Sequence, residues 1–306
     1  MFLSKKAATV LSLTGMCCIL CLFLSGCGST GTAEPAGVIN VVAAENFYGD
    51  VVKQLGGSHV SVTSILSDPN TDPHTYESNN ATAQAVSKAQ LVIENGLQYD
   101  SWMEKLLSAS PNPNRVVLTA STIADHKLPD NPHVWYGINN MPTIATAITN
   151  ELKKLDSANA STFDQNLTTF SNSLQPILQK MSDLKAKYAG MPVGLTETIY
   201  LYQTTPIGLN VLTPSEFQMA NAKGNDPPID SIITANDQIS KKEIKILIYN
   251  DQAPTAITEK MQKDAKSLTI PVVSVTETMP VGKTYQSWMQ GQLDSLGQAL
   301  ATATGK

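Results

Sequence analysis

A two-lobed α/β architecture is the fold class this sequence predicts, each lobe a mostly parallel sheet flanked by helices, with one long helix joining them and a cleft between. Three observations lead there. From Val38 onward, short apolar runs alternate with helix-like segments, the rhythm of βαβ units that assemble parallel sheets. From Val193 the rhythm resumes, and between the two halves lies a single amphipathic stretch. At 306 residues and 42% hydrophobic content the chain is long enough for two ordinary domains with their own cores.

The boundaries follow from composition: residues 1–26 a signal, 27–37 a tether, 38–157 an N-terminal lobe, 158–190 the linking helix and 191–306 a C-terminal lobe. Lys5 and Lys6 precede an uncharged apolar run from Ala7 to Leu24, the pattern of a secretory signal. The run ends Leu24-Ser25-Gly26-Cys27, which resembles the bacterial lipobox, where cleavage precedes a cysteine that then receives lipid. An uncleaved anchor is the competing reading, because the run is about long enough to span a bilayer. Both readings put the rest of the chain outside the cytoplasmic membrane, and the lipidated one makes Cys27 the anchor on its outer face, as on a Gram-positive cell surface. Cys17, Cys18 and Cys21 leave with the signal, so a metal site in the mature chain has to do without sulfur and the fold without disulfides. Gly28 to Gly37 are small and polar with one Pro, a flexible tether.

In the first lobe the strand candidates are Val38 to Ala44, Val60 to Leu66, Leu91 to Glu94 and Val116 to Thr119. Helix candidates Phe47 to Leu55, Ala81 to Ser87 and Trp102 to Leu107 fall between them. The second lobe offers strands Val193 to Thr196, Val211 to Thr213, Ile244 to Tyr249 and Val272 to Val275, with helices Thr255 to Leu268 and Thr284 to Leu300. The linking stretch steps by four and three through Phe163, Leu167, Phe170, Leu174, Ile177, Met181, Leu184 and Tyr188, one face of a helix. Ser161 with Asp164 is its expected cap, Gly190 its stop, and Pro176 a bend or break. The seam is too short for a coiled coil to be preferred, so it is expected to pack on its own lobes. A monomer is expected.

Net charge is −5 with Lys and Arg scattered, which gives no basic stripe for a phosphate backbone and excludes nucleic acid as the expected partner. Chemistry must come from the four histidines and the carboxylates. His74 and His133 each follow a Pro in an Asx-rich loop after a candidate strand, which fixes where the imidazole points and puts both near the carboxyl ends of one sheet. Either alone would ordinarily be a hydrogen-bonded surface histidine; the pair is what suggests a site. His59 precedes a strand and reads as solvated, and His126 lacks the Pro context. Glu197 and Glu277 each follow a strand of the second lobe, where a carboxylate is otherwise common as a helix N-terminal charge. Asp251 competes with Glu277.

The runs Ala44-Glu45-Asn46-Phe47-Tyr48-Gly49-Asp50, Asp72-Pro73-His74-Thr75-Tyr76-Glu77, Glu94-Asn95-Gly96-Leu97 and Asn131-Pro132-His133-Val134-Trp135 resemble the metal-binding lipoproteins of manganese and zinc ABC importers. The resemblance covers nearly all of the mature chain. Where many members place a third histidine, this chain reads Leu195-Thr196-Glu197-Thr198, and the His-rich loop of some zinc-specific members is missing after His74. It implies one divalent cation, Mn²⁺ or Zn²⁺, held between the lobes by His74, His133, Glu197 and Glu277 and passed to an ABC permease in the membrane. Two neutral imidazoles and two carboxylates carry a formal charge that a divalent ion cancels.

A metal-dependent exported hydrolase and a surface adhesin are the alternatives. No HExxH, no GxSxG and no spare histidine base accompany the four residues. Trp102, Trp135 and Trp288 are expected to fill core.

Overall fold

The computed structural model describes residues 37–68, 71, 76–125 and 127–305. Its first sheet is built from β1 (Ile39–Glu45), β2 (Val60–Leu66), β3 (Leu91–Glu94) and β4 (Val116–Thr119), all parallel, in the order β2-β1-β3-β4. The crossovers carry α1 (Asn46–Gly56), α2 (Asn80–Lys88) and α3 (Ser101–Ala109), followed by the short α4 (Ala120–Ile123) and by α5 (Met141–Leu155). The linking region is α6 (Ala160–Ser173) and α7 (Gln175–Tyr188). The second sheet contains β5 (Pro192–Leu195), β6 (Asn210–Val211), β7 (Ile246–Asn250) and β8 (Val272–Val275), again parallel, in the order β6-β5-β7-β8. With it come α8 (Leu201–Ile207), α9 (Ser215–Ala222), α10 (Ile229–Ser240), α11 (Ala256–Ser267) and the long α12 (Tyr285–Thr304).

The two sheets therefore share one topology. In each, the second strand lies on one side of the first and the third on the other, so the connections part above the first and third strands. That is the point where open α/β sheets bind ligands, at the strands' carboxyl ends. Central strands β1, β3, β5 and β7 are almost entirely buried apolar runs, as a sheet covered on both faces requires.

The linking helix is broken where Pro176 was expected to break it. Pro176 has no N–H to continue the ladder, so α6 stops at Ser173 and α7 starts at Gln175 with Leu174 shared as the cap. The cap expected at Ser161 does not form: α6 begins one residue earlier, after a 3₁₀ turn, and Asp164 instead pairs with Lys153 at 2.8 Å. Gly190, at φ +81°, is where the chain turns out of α7. The apolar seam is covered within the chain, Phe163, Phe170, Leu174 and Ile177 all lying in the main core. That core runs continuously from β1 through α6 and α7 to α12, which packs on both α7 and α1. Trp102, Trp135 and Trp288 are buried as expected. The signal, Cys27 and the tether up to Ala36 lie outside the described residues. Among the described residues no helix is long and apolar enough to cross a membrane.

Candidate metal centre

Among the described residues, one group of side chains could hold a metal ion: His133, Glu197 and Glu277, all buried, with a ligand atom from each within 4.8 Å of the others. Their positions follow from the fold. Glu197 lies two residues beyond β5 and Glu277 two beyond β8, so both rise from carboxyl ends of the second sheet. His133 comes from the loop that follows α4 in the first lobe. Its Nε2 stands 4.0 Å from Glu197 Oε2. That is too far for a hydrogen bond, but two atoms at about 2.0–2.2 Å from one ion can be that far apart.

The histidine's tautomer follows from its neighbours. Asn131 Nδ2 donates to the Thr198 carbonyl at 2.9 Å, which leaves Asn131 Oδ1 to accept from the His133 backbone N–H at 3.1 Å and to face Nδ1 at 2.8 Å. Nδ1 therefore carries the proton and Nε2 presents its lone pair toward the carboxylates, the arrangement that orients a metal-ligating imidazole. Aromatic rings wall the other side. Trp135 lies edge-on to His133 at 5.2 Å and stacks on Phe47 at 4.6 Å.

The two glutamates are joined by one amide. Asn250, the last residue of β7, donates through Nδ2 to Glu197 Oε1 at 3.0 Å and to Glu277 Oε1 at 2.7 Å. Glu197 Oε2 also accepts the Ile199 N–H at 3.1 Å, and Glu277 Oε2 accepts the Tyr99 hydroxyl at 2.9 Å. Gln252 Oε1 takes the backbone N–H groups of Glu277 and Thr278, which fixes the loop. Burial, and then the charge of Glu277, push the Glu197 carboxyl well above the usual range. A divalent cation between the two would offset both the burial of the charge and the repulsion.

A second group of buried acids lies in the first lobe, at the carboxyl ends of β1 and β3. Glu45 is fully buried and pushed well above the usual carboxylate range by burial, then by the charges of Asp100 and Glu94. Asp100 is raised to about 6, chiefly by burial, although it accepts the Asn95 and Gly96 N–H groups at 2.6 and 2.8 Å. These acids do not join the cluster of three.

Of the residues picked from sequence, the structure brings together His133, Glu197 and Glu277. His74 and His126 lie outside the described residues. Asp251 does not compete with Glu277: it is exposed, and its Oδ1 accepts from Ser274 Oγ at 3.2 Å. His59 is only partly solvated, its Nδ1 3.7 Å from Asp156 and its ring edge-on to Phe163 at 5.7 Å. Sequence reading missed Asn250 and Tyr99. The signal for Asn250 was its place at the end of a strand, one residue before the competing Asp251.

The sequence profile of the family described as zinc-uptake complex component A, periplasmic, matches residues 41–299. The chain belongs to this family. Among similar proteins, the manganese-binding lipoprotein MntA of Halalkalibacterium halodurans is 28% identical over 171 residues, 54% of this chain and 56% of that protein. The metal ABC transporter substrate-binding lipoprotein ScbA of Streptococcus cristatus is 23% identical over 304 residues, covering 91% of this chain and 94% of the relative. The fold is that of the periplasmic zinc-binding protein TroA of Treponema pallidum, with a TM-score of 0.74 at 17% identity over 86% of this chain and 99% of that one. The substrate-binding protein FpvC of Pseudomonas aeruginosa in complex with Mn²⁺ gives 0.70 at 21% identity, over 86% and 98%.

Proposed function

We propose that this member of the zinc-uptake component A family is the extracellular solute-binding component of an ABC importer, capturing Mn²⁺ or Zn²⁺ as cargo and delivering it to the membrane permease. The observation that carries the proposal is the buried cluster of His133, Glu197 and Glu277, contributed by both lobes and within 4.8 Å. In this reading His74 is the fourth ligand and Cys27 the lipid anchor on the outer face of the membrane. Two neutral imidazoles and two carboxylates leave a formal charge of −2, which one divalent cation cancels.

Oxygen and imidazole donors accept either metal. In general such a site binds Zn²⁺ more tightly than Mn²⁺, so selection between them rests on geometry and supply. Four protein ligands leave little room for a reacting water, unlike catalytic zinc sites with three, which favours a carrier over a hydrolase. The names of the relatives, manganese-binding and metal ABC transporter substrate-binding lipoproteins, support the same reading. The test is uptake of radiolabelled Mn²⁺ and Zn²⁺ by cells lacking the gene. Wild-type protein restores uptake of at least one metal and Glu197→Gln does not; equal rescue by both would overturn the proposal.

A further inference from the structure

We infer that Tyr99 is a latch reaching from the first lobe to Glu277, and that it sets how fast a bound cation leaves. The inference rests on the ligand set proposed above. Tyr99 sits at the end of a turn in which Gly96, Leu97 and Gln98 have φ of +79°, +54° and +64°. Leucine and glutamine rarely adopt the left-handed region, and each costs roughly 1 kcal/mol there. Such a turn persists only where its surroundings hold it. Here Asp100 accepts the Asn95 and Gly96 N–H groups, Tyr48 donates to Asn95 Oδ1 at 2.8 Å, and Asn95 Nδ2 donates to the Pro132 carbonyl at 2.8 Å. One strained turn thereby fixes both Tyr99 and the residue before His133.

The side chain it places is buried, its ring 4.8 Å from Trp135 and 5.9 Å from His133. Its hydroxyl meets Glu277 Oε2 at 2.9 Å across 178 residues of chain. From its own lobe, Asn250 bonds that carboxylate and Gln252 its backbone N–H. Beside Tyr99 a cavity of about 310 Å³ is lined from both sides, by Leu97, Gln98 and Pro132 on one and Met219 and Lys223 on the other. Tyr99 itself lines that cavity while its hydroxyl bonds a member of the ligand cluster. Parting the lobes at this point has to break the bond to Glu277.

Tyr99→Phe keeps the ring and removes only the donor. In the full chain loaded with Mn²⁺ alone, the latch predicts one ion bound as before. It also predicts a dissociation rate about tenfold faster in a chelator chase, the effect of losing one hydrogen bond to a charged group. The association rate stays within error, while the metal-free protein, which makes the same bond, melts lower. Combined with Glu277→Gln, Tyr99→Phe should have less than a twofold further effect, because the bond is already changed. A purely structural role would slow or speed both variants' backgrounds alike. If Glu277→Gln weakens Mn²⁺ binding but Tyr99→Phe leaves dissociation within twofold of wild type, the latch is wrong and the ligand set stands. If Glu277→Gln binds Mn²⁺ like wild type, the ligand set is wrong and the latch falls with it.

Discussion

Asn250→Ala is the substitution whose effect the geometry specifies most closely. The amide donates to Glu197 at 3.0 Å and to Glu277 at 2.7 Å, and its own Oδ1 accepts the Gln252 N–H at 3.0 Å. Hydrogen bonds to charged groups contribute about 1.5–3 kcal/mol each, so alanine removes on the order of 3 kcal/mol or more of restraint on the two carboxylates. Their mutual repulsion is of similar size, about 3 kcal/mol at a separation near 5 Å and an effective dielectric near 20. Without the amide the pair separates or takes up a proton, and an arriving cation has to reverse whichever happens. Losing the partner that orients a ligand ordinarily costs about 10–100-fold in metal affinity. Isothermal titration of purified protein with Mn²⁺ and with Zn²⁺ at pH 7 should show a Kd weaker by that factor. The deficit should shrink as pH rises and proton competition fades. A Kd within about threefold of wild type at pH 7 would refute the reasoning that this amide organises the site.

Other outcomes follow from the same geometry. Replacing His133 or His74 by Ala should weaken Mn²⁺ binding by at least about tenfold, roughly 1.4 kcal/mol, and unchanged affinity in both would return them to ordinary structural histidines. Acid should act in opposite directions on stability and on binding. Asp100, raised to about 6 by burial, destabilises the metal-free fold as pH rises from its unfolded value near 3.9 through about 6, a cost of about 3 kcal/mol at pH 7. Glu45 and Glu197, raised for the same first cause, add to that loss. Metal affinity rises over the same range because bound imidazoles must be neutral. Calorimetric scans should therefore show the metal-free protein melting higher at pH 5.5 than at 7.5, and the gain on adding Mn²⁺ larger at 7.5. A metal-free melting temperature that rises with pH across that window would contradict the assignment. Finally, Cys27→Ala should abolish lipidation and release the protein from the membrane, whereas full retention would point to an uncleaved helix.

Much of the fold was legible because central parallel strands are short continuous apolar runs, and these are easily bounded. Val60–Leu66, Leu91–Glu94, Val116–Thr119 and Val272–Val275 were read to the residue. The elements around β6 were not: β6 is a two-residue strand, and α8 carries Pro206 inside it, so neither has room to express a period. Helix α5 was overlooked although Met141, Ile144, Ala145, Ile148 and Leu152 bury one face. Glu197 and Glu277 could be found because a carboxylate just past a strand is visible in sequence and its place above the sheet follows from topology. Asn250 was passed over beside the competing Asp251 because one residue of register decides which side chain turns inward, and an uncharged amide gives no signal of its own. Tyr99 depends on a left-handed turn at Leu97 and Gln98 that nothing in those residue types announces.

The central claim is that the cluster of His133, Glu197 and Glu277 holds a divalent cation. Native mass spectrometry of the purified protein, after equilibration with Mn²⁺ or Zn²⁺ and removal of excess, tests it most directly. The account predicts one ion per chain in the wild type and none retained when Glu197 and Glu277 are both replaced by Gln. A wild-type protein that carries no metal, or a double variant that retains it in full, would contradict the account.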